Sequence, residues 1–140
     1  MLLLFGGGIC LARAFVASGL SGQVGDALTM VAMLPVFIMM LLLALAVTFL
    51  TEATSNTATT ALLLPVLAAV ALAVNIDPLW LMVPAAMSAS CAFMLPVATA
   101  PNAVVFGSGE LPIQRMVREG FVLNLIGALV IATVTWALLT

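Results

Sequence analysis

Two short stretches of this chain carry side chains that could bind something: TEATSNTATT at residues 51–60 and TAPNA at 99–103. The first holds threonine at five of ten positions, with one serine, one asparagine, one glutamate and no basic residue. Hydroxyl and amide groups can hold an anion through their hydrogens or a small hard cation through their oxygens. If 58–74 is a returning helix, Thr57 stands near its N-cap, with Ser55 and Asn56 just ahead. The free amides and positive dipole end there favour a carboxylate or another oxyanion. Carbonyls at the end of an arm over 35–53 favour a cation such as sodium instead. Asn56 also tolerates the left-handed backbone that a hairpin tip can require. The second stretch offers Thr99, Pro101 and Asn102, again without lysine or arginine.

Composition narrows the chemistry further. Of the 140 residues, 66% are hydrophobic and 6% charged, too few charges to cover a soluble surface, so the chain reads as embedded in a lipid bilayer. Its charges are Arg13, Asp26, Glu52, Asp77, Glu110, Arg115, Arg118 and Glu119. Without histidine there is no imidazole base and no zinc site of the usual kind. Three arginines make no footprint for nucleic acid. No nucleophile–base pair is visible, so neither an enzyme nor an organic cofactor is expected. Cys10 and Cys91, both in apolar surroundings, read as buried free thiols.

The elements that must position the two polar stretches follow from apolar run length, since a membrane-spanning helix needs about 20 residues. Residues 1–17 form a first transmembrane helix and 18–34 an interfacial segment. Leu28 to Leu50 is uncharged and mostly apolar, the threonine-rich decapeptide follows, and Ala61 to Val74 is apolar again, a unit that either crosses twice or dips in and returns. NIDP at 75–78 is a turn, because aspartate before proline favours leaving a helix. Residues 79–97 are of span length, 98–111 interrupt that helix, and 121–140 close the chain with a final span. MLLLFGGG opens inside an apolar run, so the chain is expected to begin part-way through a larger protein. Arg115 and Arg118 place 112–120 in the cytoplasm by the positive-inside rule and turn NIDP outward.

Two readings of the decapeptide stay open on these grounds. It is an ordinary extramembrane loop with a threonine-rich helix cap, or it is non-helical backbone at membrane depth. The latter survives only where it lines a cavity or coordinates something. Glu52 divides the same way, as a surface acid or as an intramembrane carboxylate marking a cavity or a proton site. A small oligomeric proton-coupled exporter using Glu52, and a non-transport membrane subunit, are the alternatives to a secondary transporter.

FLTEATSNTATTALLLPV at 49–66, followed by LPVATAPNAVVFGSG at 95–109, resembles the C-terminal half of the divalent anion/sodium symporter family. That family comprises sodium-coupled dicarboxylate, citrate and sulfate transporters; LLLFGGG at 2–8 extends the likeness over nearly the whole chain. The resemblance implies an all-α integral membrane protein, here the C-terminal half of an inverted repeat with a re-entrant helical hairpin over 35–76, its tip at 54–57, and a broken transmembrane helix. It implies substrate contacts at Ser55, Asn56 and Thr57, with Thr99 and Ala100 completing the wall. Its sodium site falls on Thr51, Thr54 and Asn56 with the backbone around Ala98. Also implied are a dicarboxylate such as succinate as substrate, sodium as the coupling ion, an inner-membrane multi-pass location, and a homodimer of the full-length protein. Two departures stand out. Ala100 replaces the first proline of the family's T-P-P-N-A, leaving a freer backbone, and S-N-T occurs once rather than twice. The opposite hairpin, with its sodium site and half of the substrate shell, is therefore expected outside these residues.

Overall fold

A computed structural model describes residues 2–20 and 35–139. The interfacial segment expected over 18–34 lies, from residue 21 on, outside the described residues, as does Asp26. The described part is all-helical, with no strand among its residues: α1 (Leu2–Ala17), α2 (Val36–Ala53), α3 (Asn56–Ala73), α4 (Leu79–Ser88), α5 (Ala100–Gly107) and α6 (Ile113–Leu139). Helices α2, α3 and α6 are long and apolar enough to cross a membrane, with mean hydropathies of 2.3, 1.7 and 2.2.

The pairing of α2 with α6 organises the rest. Buried residues of α2 recur every three or four positions, from Met40 through Ala44, Val47 and Thr48 to Thr51 and Glu52. On α6 the buried stripe runs Met116, Gly120, Asn124, Ala128, Ile131, Ala132 and Thr135. One helical face is thus given to the partner, and small residues on it let the backbones approach, as close packing in lipid requires. The Phe37 ring meets Trp136 edge-on with centroids 6.1 Å apart, and Phe49 meets Phe121 at 5.6 Å. The start of α2 therefore lies beside the end of α6, and the two helices run antiparallel. The other faces of α6 carry exposed Leu123, Ile126, Leu129 and Val130, a surface suited to lipid tails.

Helix α3 packs on α1 and α4, and α4 in turn on α2 and α6. Ala85 and Ala89 come against Val47 of α2, with Leu63 and Leu67 of α3 around them. The turn at NIDP has the geometry that its residues favour. Asn75 takes φ 56° just past the end of α3, the Ile76 N–H reaches the Ala71 carbonyl at 2.9 Å, and the Asn75 N–H reaches Leu72 at 3.3 Å. Asp77 then accepts the Leu79 amide at 2.9 Å and starts α4.

The second interruption differs from the expected one in place and extent. The helix expected over 79–97 ends at Ser88, and residues 89–99 are non-helical. The loop expected over 98–111 contains α5, capped by Thr99 and carrying Pro101 in its first turn, where proline's fixed φ suits a helix start. Helix α4 is thereby about 15 Å long, half of the roughly 30 Å hydrocarbon core.

Candidate functional site

The S-N-T tip is a turn of two residues. Helix α2 stops at Ala53, Thr54 and Ser55 adopt extended backbone, and α3 begins at Asn56. The N-cap is thus Ser55 rather than Thr57, two residues earlier than the sequence indicated. The Ala58 amide approaches its hydroxyl at 3.5 Å, a long contact. The first donor of the helical ladder is Thr59, whose N–H reaches the Ser55 carbonyl at 2.8 Å. The amides of Asn56 and Thr57 precede that ladder and are left for a partner from outside it.

Threonine hydroxyls tie the two arms together across this turn. Thr51 Oγ1 lies 2.6 Å from Asn56 Oδ1 and 2.9 Å from the Ala89 carbonyl. Thr54 Oγ1 donates to the Leu50 carbonyl at 2.8 Å and meets Thr59 Oγ1 at 2.7 Å, while Thr60 bonds the Asn56 carbonyl at 2.8 Å. Thr51 is wholly buried, and its single proton serves two oxygens. Three oxygens, from α2, α3 and the start of the second break, therefore crowd together at the base of the tip.

Glu52 points away from that crowd, into the second break. Its Oε1 accepts the amides of Phe93 at 2.7 Å and Met94 at 2.8 Å, and its Oε2 accepts that of Leu95 at 2.9 Å. A fourth donor, Asn124 Nδ2 of α6, reaches Oε1 at 2.7 Å. The carbonyls of the same segment are held from the other side by Asn102, whose Nδ2 donates to Ala92 at 2.9 Å and Leu95 at 3.1 Å. Backbone that has left the helix is thus hydrogen-bonded within the protein. All four partners of Glu52 are donors, which matches a carboxylate that only accepts. Its use as the proton-carrying acid of a small exporter is therefore not favoured.

Tip and break together enclose a cleft of about 460 Å³, lined by Glu52, Ala53, Thr54, Ser55, Asn56 and Thr57 from the hairpin and by Val97 and Ala98 from the break. A second hollow of about 280 Å³ touches Asn56 and Thr57 from the side of Thr60, Ala61 and Ser90. None of the three arginines lines either one. Helix α2 ends at the cleft wall, while α3 and α5 begin beside it, so carbonyl ends and amide ends converge on one space. Such a convergence can hold an anion at the N-termini and a cation at the C-terminus.

Of the residues singled out from the sequence, Thr54, Ser55, Asn56, Thr57 and Ala98 line the cleft, and Thr51 lies behind it, bonded to Asn56. Thr99 and Ala100 follow the wall-forming residues. Thr99 is half-buried and caps α5 by accepting the Asn102 amide at 3.3 Å, and Ala100 is the exposed first residue of that helix. Asn124 and Gly120 were not legible as site residues. A Cβ on Gly120 would overlap the Phe93 carbonyl and stand 2.7 Å from the Met94 Cα, so the break passes directly over it. The available signal was a glycine and an asparagine one turn apart in an otherwise apolar span.

A family model described as the sodium:sulfate symporter transmembrane region matches residues 1–140. A sodium-dependent dicarboxylate transporter of Staphylococcus saprophyticus, SdcS, is 48% identical over 138 residues, covering 99% of this chain and 27% of its own length. SdcS of Staphylococcus aureus USA300 is 45% identical over 136 residues, covering 97% of this chain and 26% of its own length. The chain thus spans about a quarter of these relatives. Matched along its whole length, it belongs to the sodium:sulfate symporter transmembrane family, that is, to a family of membrane transporters.

Proposed function

We propose that this chain is the C-terminal part of a sodium-coupled symporter of divalent anions, with C4-dicarboxylates such as succinate as its substrate class. The observation that carries the reading is the cleft. It joins Ser55, Asn56 and Thr57 to Ala98, brings helix N-termini and a helix C-terminus to one place, and contains no basic residue. A carboxylate of the substrate takes the amides and hydroxyls at the start of α3, with Thr99 and Ala100 beside it. Sodium takes oxygens of Thr51, Thr54 and Asn56 and the backbone at Ala98. The relatives' names, which state sodium dependence and dicarboxylates, support the same ion and substrate class.

In this reading 35–76 is a re-entrant hairpin whose tip meets an opposite tip from the remainder of the polypeptide. Antiparallel pairing puts the tip at the Arg118 end of α6. At about 1.5 Å per residue, Arg118 lies about 9 Å before Asn124 and Leu139 about 22 Å beyond it. The site then sits within the apolar span, nearer the cytoplasmic face assigned by Arg115 and Arg118. The full-length protein is a multi-pass inner-membrane homodimer. Sodium entry supplies the work, about 2.3 kcal/mol per charge across 100 mV.

The test is uptake of labelled succinate by proteoliposomes carrying the full-length polypeptide that contains these residues. An inward sodium gradient is expected to drive accumulation, and replacing sodium by potassium is expected to abolish it. Uptake indifferent to sodium, or none for any dicarboxylate, citrate or sulfate, would overturn the reading.

A further inference from the structure

We propose that Asn124, one turn beyond Gly120 on α6, is a positioning residue of the sodium site, although it touches neither sodium nor substrate. The inference rests on the reading of Thr51, Asn56 and Ala98 as sodium oxygens. Those oxygens come from three elements: Thr51 from the end of α2, Asn56 from the start of α3, tied to Thr51 by a hydrogen bond, and Ala98 from the break. Glu52 joins the end of α2 to the break. It follows Thr51 directly in the chain, and its Oε2 holds the Leu95 amide at 2.9 Å. The Leu95 carbonyl in turn accepts the Ala98 N–H at 3.1 Å. Asn124 fixes the other carboxylate oxygen at 2.7 Å, and the break reaches Glu52 only because Gly120 lets the Phe93 carbonyl lie against α6. The distance between the two halves of the ion site is therefore set from α6, through one carboxylate.

A buried asparagine that merely joins two helices has a different signature. It contributes to stability and leaves ion affinity alone. Asn124 is wholly buried and its Nδ2 is committed to Glu52, so its removal leaves the carboxylate free to shift with the break attached. Groups that orient a ligand's partners in this way change metal affinity about 10- to 100-fold when removed.

The experiment is a sodium titration of succinate uptake by the full-length polypeptide, for wild type, Asn124→Ala and Asn124→Leu. Asn124→Ala is expected to raise the half-saturating sodium concentration at least about tenfold and leave the maximal rate at saturating sodium nearly unchanged. Asn124→Leu keeps a side chain of similar size without the amide donor, and it is expected to raise half-saturation in the same way. Should Asn124→Ala fail to fold, Asn124→Leu decides. A sodium-dependent wild type whose folded variants keep half-saturation within about twofold would overturn this inference alone. A wild type that ignores sodium would overturn the functional reading and this inference with it.

Discussion

Two of the places where the described chain leaves its helices, 54–55 and 89–99, use their polar groups in opposite ways. At the first, Ser55 and Thr57 are exposed, the amides of Asn56 and Thr57 precede the helical ladder, and a cleft lies against them. At the second, three consecutive amides end on one carboxylate and two carbonyls on one asparagine side chain. One break is open to a ligand and the other is closed on itself. Unpaired backbone in lipid is costly, so an open break needs something to bind, whereas a closed break needs only internal partners. The closed break is therefore scaffold. It holds Val97 and Ala98 in place so that the open one has an opposite wall.

Variants of the closed break should act on stability, and most strongly at its centre. Glu52→Ala leaves three backbone amides and the Asn124 amide without an acceptor, and it is expected to cost about 3–5 kcal/mol, the range for stranding a buried partner. Thermal unfolding of the detergent-solubilised full-length protein measures this, and a melting temperature equal to wild type would refute the scaffold role. Gly120→Ala comes next. Its methyl group must displace the Phe93 carbonyl, in a segment whose amides Glu52 accepts and whose Ala92 and Leu95 carbonyls Asn102 holds, at an expected cost of about 1–3 kcal/mol in the same assay. The open break should behave differently. Asn56→Ala removes one hydrogen bond to Thr51 and is expected to cost no more than about 1 kcal/mol in the absence of ligand.

How far these roles can be read from sequence follows the same division. The tip was legible because its signals are local: threonine, serine and asparagine between two apolar runs, and a helix-capping hydroxyl at the start of α3. Even there the cap fell on Ser55 rather than Thr57, since either hydroxyl could serve and the length of the turn decides between them. The closed break was displaced. Residues 89–97 read SCAFMLPV after an alanine, an apolar run with no glycine and a single late proline, and nothing in it marks a departure from helix. What holds it open is Glu52, some forty residues earlier in the chain, with Asn124 a further thirty residues beyond. The prolines and glycines of 98–109 looked like the interruption. Instead Pro101 helps to start α5, and Gly109, at φ 76°, follows its end. Interactions between distant residues, which no local pattern encodes, decided which stretch stayed helical.

The division between an open, ion-binding break and a closed, scaffolding one is tested most directly by the effect of sodium on melting temperature, in wild type and in Asn56→Ala, with potassium as control. A bound ion at a hundredfold its dissociation constant stabilises by about 2.7 kcal/mol. Wild type should therefore melt higher as sodium rises and not respond to potassium, while Asn56→Ala should start near the wild-type melting temperature and show no rise. If Asn56→Ala kept the full sodium-dependent rise, the ion would be bound elsewhere and the role assigned to the tip would be wrong.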